Sequence, residues 1–136
     1  MPLTIQIITP EKALAPAQAD HVTATAADGE VGIRSGHAPL VAALRPGHVM
    51  VRSAGKESWW AIAGGVMQVL QDEVKLFVER TAEGASIDSV AVQARLAKLE
   101  GESPAEPAAR RTRDAEIAWL RAQLLVFQRS APKTAL

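Results

Sequence analysis

Between Gly29 and Gly47 four glycines and two prolines cut the chain into short apolar runs, Gly29-Glu30-Val31-Gly32-Ile33-Arg34-Ser35-Gly36-His37-Ala38-Pro39-Leu40-Val41-Ala42-Ala43-Leu44-Arg45-Pro46-Gly47. Glycine supplies backbone angles that side chains forbid, and proline fixes its own angle while removing an amide donor. Punctuation of this kind specifies strands joined by tight connections. Gly36 to Pro39 is therefore a predicted turn that feeds a strand from Leu40 to Leu44. Nothing in the stretch has the make-up of a catalytic site; it reads as a rigid corner suited to assembly.

The same pattern runs through the first 84 residues. Leu3, Ile5 and Ile7 alternate with Thr4 and Gln6 and predict a half-buried first strand that stops at Thr9-Pro10. Ala19 to Ala27 is strand-like with weakly contrasted faces. Asp28-Gly29 is a two-residue hairpin signal, because such turns need positive backbone angles. His48 to Ser53, Glu57 to Ala63, Val66 to Leu70 and Val74 to Val78 complete the expected strands, the last of them at Val78. Ala54-Gly55-Lys56, Gly64-Gly65 and Gln71-Asp72 are the turns between them. Turns spaced about ten residues apart are the mark of an antiparallel sandwich or barrel.

The period changes at Ser86, an expected N-cap with Asp88 in the first turn. Ile87, Val90, Ala94 and Ala97 recur at helical spacing, flanked by Leu96 and Leu99. Gly101, Pro104 and Pro107 end that helix. A second helix starts near Ala108, carries Ile117, Leu120, Leu124 and Phe127 beside Trp119, and fades before Pro132. Two such helices predict an antiparallel hairpin, and helices this short must pack on each other, on the strands or on a partner. The expected division is a β domain over 1–84 and a hairpin over 85–136.

Composition excludes several functions. Fifteen basic residues balance fifteen acidic ones, so no overall field draws nucleic acid or an anionic membrane. There is no cysteine, hence no disulfide framework and no thiolate metal site. No basic-then-apolar leader opens the chain, and no apolar run approaches the roughly 20 residues that cross a bilayer, so membrane association is expected only through a partner. His21, His37 and His48 lie on separate segments without ligand spacing, so no metal is expected. Gly64-Gly65 lacks the lysine and helix of a phosphate cradle and reads as a bulge or a close backbone approach. Trp59 and Trp60 are adjacent on a strand and must face opposite sides, one buried and the other exposed or covered by a neighbour. No nucleophile elbow or carboxylate pair suggests a hydrolase.

Gly29-Glu30-Val31-Gly32-Ile33, Gly36-His37-Ala38-Pro39-Leu40 and Leu44-x-Pro46-Gly47 resemble the epsilon subunit of bacterial F-type ATP synthase. Ile8-Thr9-Pro10-Glu11, Ala63-Gly64-Gly65-x-x-x-Val69 and Thr81-Ala82-Glu83 continue the match, which covers most of residues 3 to 83. Over the helices only the helix-break-helix pattern and the lengths agree. The resemblance implies an α+β, mainly β chain: a ten-stranded antiparallel β-sandwich followed by an antiparallel helical hairpin. It implies a non-catalytic rotor subunit without a cofactor. Its sandwich would bind the gamma subunit and rest on the polar loops of the c-ring. Its hairpin would either fold on the sandwich or extend to the alpha/beta head and brake ATP hydrolysis. The expected location is the cytoplasmic face of the inner membrane, peripheral, in the F1 sector.

Carried over position by position, the resemblance makes Glu30 the c-ring contact and places Thr9, His37 and Ala42 at the gamma-binding face. By itself the sequence reads Glu30 as a solvated turn carboxylate and His37 as a ring bonded to the turn backbone. Arg110, Arg111, Arg113 and Arg121, with Arg129, make the second helix basic. They read as a solvated face, and the resemblance implies contact with the beta subunits. The family's ATP-binding pattern is only partial here. Ile87 and Asp88 fit, but Ala91 stands where an arginine would meet phosphate, so no nucleotide is expected. Gln68 stands where members often carry Glu. The competing expectation is a free-standing sandwich that binds a small ligand, which the lack of tyrosine and scarcity of aromatics disfavour for sugars.

Overall fold

The computed structural model describes residues 2–130. In chain order it contains β1 (Leu3–Ile8), β2 (Ala17–Ala19), β3 (His21–Ala26), β4 (Gly29–Arg34), β5 (Leu40–Ser53), β6 (Lys56–Ile62), β7 (Gly65–Leu70), β8 (Glu73–Val78) and β9 (Thr81–Glu83), then a 3-10 turn at Gly84–Ser86, α1 (Ser89–Glu100) and α2 (Pro107–Ser130). The expected fade of the second helix before Pro132 lies outside the described residues.

Strand alternation is expressed directly as burial. Leu3, Ile5 and Ile7 are buried, as are Val74, Leu76 and Val78, while Glu73, Lys75 and Phe77 face outward. The strands form two layers that share β5. Its first half, Leu40 to Leu44, pairs with β7, which continues through β8 and β1 to β2. Its second half, Gly47 to Ser53, pairs with β6, and β3 and β4 extend that layer on the other side. Leu3, Val22, Ile33, Ile62, Met67 and Leu76 fill the space between the layers.

Four expectations about the strands and their turns change. Nine strands stand among the described residues rather than ten, because the runs on either side of Arg45-Pro46 are one strand that changes layers there. Counted once in each layer, β5 restores the figure of ten. Second, the sandwich is not wholly antiparallel, since β1 runs parallel to β8. Third, the hairpin turn is Ala27-Asp28, with Gly29 (φ 124°) already paired to Ala26. Fourth, a further strand, β9, follows Val78 and pairs with β6.

The glycine pair behaves as read. Gly65 has φ 151°, and a Cβ there would overlap the carbonyl oxygen of Phe77. Here only a bare backbone lets β7 and β8 approach. At Gln71-Asp72 both residues take positive φ, 50° and 62°, the geometry of a tight hairpin turn.

Asp88, rather than Ser86, caps α1: its carboxylate accepts from the Ala91 amide at 3.1 Å. That places the cap two residues later and turns the buried face to Val92 and Leu99, leaving Val90 75% exposed. α1 folds back on α2, and α2 lies on the outer face of the β5–β6 layer. Ala61, Ile87, Trp119, Leu120 and Val126 form a second core there. Trp59 packs into this second core and Trp60 into the first. The tryptophans face opposite sides, and both are half-buried: Trp60 against the sandwich core and Trp59 covered by the hairpin rather than exposed.

Candidate partner-binding surfaces

The two outer faces of the sandwich are treated differently. The hairpin covers the β6 face, while the β7–β8 face stays open. Register places Ala43, Val66, Phe77 and Ile8 in one row across β5, β7, β8 and β1. Val66 and Phe77 are 42% and 43% exposed, and Val41 beside them is 73% exposed. At the end of the row Ile8, Thr9, Pro10, Phe77 and Val78 line a shallow groove of about 340 Å³. An apolar row of this kind, bordered by charge, is the composition of a docking surface.

Thr9 opens the turn after β1; its hydroxyl donates to the Lys12 carbonyl at 3.1 Å and accepts the Lys12 amide at 3.2 Å. Ala42 is half-buried and packs against the sandwich core, so its outward neighbours Val41 and Ala43 are the residues a partner would meet at that point. His37 sits in the Gly36 corner with Nδ1 2.7 Å from the Ala38 carbonyl, which fixes that nitrogen as the donor. The corner is held from below: the Asp72 carboxylate accepts from the Gly36 amide at 2.8 Å and the Ser35 hydroxyl at 3.1 Å. Sequence reasoning missed Asp72, which is joined to the corner only by tertiary structure.

Glu30 is the second residue of β4, paired with Thr25, one step past the turn rather than at its tip. Its side chain is 59% exposed and reaches His48 Nε2 at 3.3 Å. Burial, with the Arg129 guanidinium acting the same way, holds His48 below the ordinary value of 6.5 against the opposing pull of Glu30. At neutral pH the contact is therefore a hydrogen bond from a neutral ring rather than an ion pair. His21 is also lowered, by burial first and then by Arg34 and Arg52.

The basic residues of α2 are mostly engaged within the hairpin. Arg110 donates to the Ala105 carbonyl at 3.2 Å, Arg121 pairs with Glu100 at 2.9 Å, and Arg113 reaches Asp114 at 2.9 Å and the Glu102 carbonyl. Arg111 is exposed. Ile87 is buried in the second core and Asp88 is spent on the cap. Arg80, which the sequence did not single out, ties sandwich to hairpin. It pairs with Glu116 at 2.7 Å and lies 5.0 Å over the Trp119 ring. Among the described residues no three metal-ligating side chains converge, and no helix is long and apolar enough to cross a membrane.

These features define a two-layer β-sandwich with a docked helical hairpin whose candidate sites are surfaces. Residues 2–84 match the family model described as the ATP synthase delta/epsilon chain, beta-sandwich domain. The chain belongs to that family. It is 41% identical over 90 residues to an ATP synthase epsilon chain of a Nostoc species, which is 65% of this chain and 66% of the other. It is 39% identical to that of a Synechococcus species, over 71% of this chain and 70% of the other. The fold also matches a chain in the Euglena gracilis mitochondrial ATP synthase structure containing OSCP, F1 and the c-ring. There the TM-score is 0.81 and the identity 19%, over 91% of this chain and 80% of the other. A chain in the Tetrahymena thermophila mitochondrial ATP synthase central stalk and c-ring gives a TM-score of 0.64 at 16% identity, over 92% of this chain and 96% of the other.

Proposed function

We propose that this chain is a non-catalytic epsilon subunit in the central stalk of an F-type ATP synthase. It links gamma to the c-ring and reaches the membrane only through the complex, peripherally, at the cytoplasmic face of the inner membrane. The observation that carries the reading is the open apolar row Ala43–Val66–Phe77–Ile8 on a sandwich of this family, opposite the face its own hairpin covers. Gamma binds along that row, with Thr9 and His37 at its borders and Val41 and Ala43 presenting the neighbourhood of Ala42. Glu30 projects from edge strand β4 toward the polar loops of the c-ring. The division of labour is a β body over 1–84 that clamps two partners and a hairpin over 85–136 that regulates. In the arrangement described the hairpin is folded on the sandwich. Released, it would carry Arg110, Arg111, Arg113 and Arg121 to acidic segments of the alpha/beta head and slow hydrolysis, an attraction screened by salt.

Capture of gamma by the full chain tests the reading. The wild-type chain should retain gamma, and Phe77→Asp and Val66→Asp should lose it while keeping the strand signal. Equal capture by both variants refutes the surface assignment; failure of the wild-type chain refutes the stalk role. ATPase assay of a reconstituted head should show faster hydrolysis with a chain ending at Glu83 than with the full chain. Equal rates remove the brake.

A further inference from the structure

The far end of the hairpin rests on a polar cleft. It lies between the outer face of β3–β6 and the last turns of α2, encloses about 340 Å³, and is lined by His21, Glu30, His48, Arg52, Glu57 and Arg129. The end of α2 is seated closely there. A Cβ at buried Gly84 would overlap the Ser130 side chain, so the helix end has no room to slide.

His48 is the junction of this cleft. Its Nε2 lies 3.3 Å from Glu30 Oε2 and its Nδ1 3.1 Å from the Thr25 hydroxyl. Its ring centroid is 5.2 Å from that of Trp59, and the Arg129 guanidinium lies 5.6 Å from the centroid of the same Trp59 ring. A neutral ring satisfies both polar partners, with Thr25 donating to Nδ1 and Nε2–H donating to Glu30. A second proton puts a cation near Arg129 in a half-buried setting; burial opposes it first, and Arg129 repels it while Glu30 attracts it.

We propose that His48 is a proton-operated latch beneath the last turn of α2: the neutral ring keeps the helix end docked, and the imidazolium drives Arg129 off Trp59 and releases it. The facing groups from every neighbouring element set the balance. On β3 and β4, His21 accepts from Arg34 Nε at 3.3 Å, and Glu30 favours the imidazolium. On β5 and β6, Arg52 and Glu57 pair at 2.7 Å and largely offset each other. From α2, Arg129 disfavours it. Undocking removes Arg129 and returns the ring to water, so the detached form binds the proton more tightly. By linkage the docked form is fully favoured above the ordinary histidine value and loses ground as pH falls below 6.5. The latch concerns the docked geometry alone and does not require that the hairpin act on any partner.

The chain has no cysteine, so Lys56→Cys and Gln128→Cys give two unique positions for a donor and acceptor dye. Energy transfer is followed from about pH 8 to about pH 5, with far-UV circular dichroism recorded alongside. The wild-type background should lose transfer below pH 6.5 with the slope of a single proton while the strand signal holds. His48→Gln should be flat, and Arg129→Gln should weaken the response, because the repulsion is gone while the burial of the ring under the helix end remains. An unchanged response in His48→Gln overturns the proposal, as does transfer that holds until the strands themselves collapse. Should His48→Gln fail to fold, Arg129→Gln decides alone: a wild-type response there overturns it.

Discussion

Removing the Arg80 side chain tests how the hairpin is fastened. Its guanidinium makes two contacts with α2: the 2.7 Å pair with Glu116 and the stack over Trp119. The side chains of Arg80 and Glu116 are 47% and 27% exposed. Solvent screening therefore limits the pair to about 0.2–1 kcal/mol. Trp119 is only 7% exposed, and the stacked cation adds about 0.5–1 kcal/mol. Arg80→Ala should thus weaken docking by about 0.7–2 kcal/mol, roughly a three- to thirtyfold change in the docking equilibrium. Amide hydrogen exchange reads this directly, because opening of the hairpin exposes amides of α2 without unfolding the strands. Exchange between Trp119 and Val126 should quicken by that factor, with β7 and β8 amides unchanged, and Glu116→Gln should reproduce less than the whole effect. Exchange within about twofold of wild type would refute the fastening. Equal acceleration in the strands would show that Arg80 stabilises the sandwich instead.

Gly65→Ala forces a methyl group into the Phe77 carbonyl and strains a residue at φ 151°. It should cost about 1–3 kcal/mol or more, seen as a lower Tm by calorimetry. Asp72→Ala removes both bonds to the Gly36 corner and places alanine at φ 62°. A loss of about 1–3 kcal/mol in urea unfolding is expected, together with faster exchange of the Gly36 amide.

Local chemistry was legible in the sequence and tertiary chemistry was not. Alternation gave the interior of β1 and β8, and Gly64-Gly65 announced a close backbone approach before the Phe77 carbonyl was seen there. The period of two also separated Trp59 from Trp60. β9 was invisible because three residues carry no period and exist as a strand only by pairing with β6. Pro46 looked like the end of a strand because nothing local says that the chain will change layers there and continue. The N-cap was displaced because Ser86 and Asp88 both suit that role and only the direction of the chain into α1 decides. Among the candidate surfaces, the resemblance supplied Thr9, His37, Ala42 and Glu30. The inward set of Ala42 and the Glu30–His48 contact arise only from the tertiary fold, as do the Arg80 and Asp72 ties. Each joins segments that lie far apart in the chain.

The parallel alignment of β1 with β8 has a consequence for how the molecule is born. β1 leaves the ribosome well before this neighbour and finds it only after Phe77 has followed, since Thr4 meets Glu73 and Ile8 meets Phe77. Pairing between such distant segments is slow to nucleate and leaves an unpaired edge on the nascent polypeptide. Translation thus delivers the helices after the strands they cover, and the hairpin closes over a sandwich that has only just been completed.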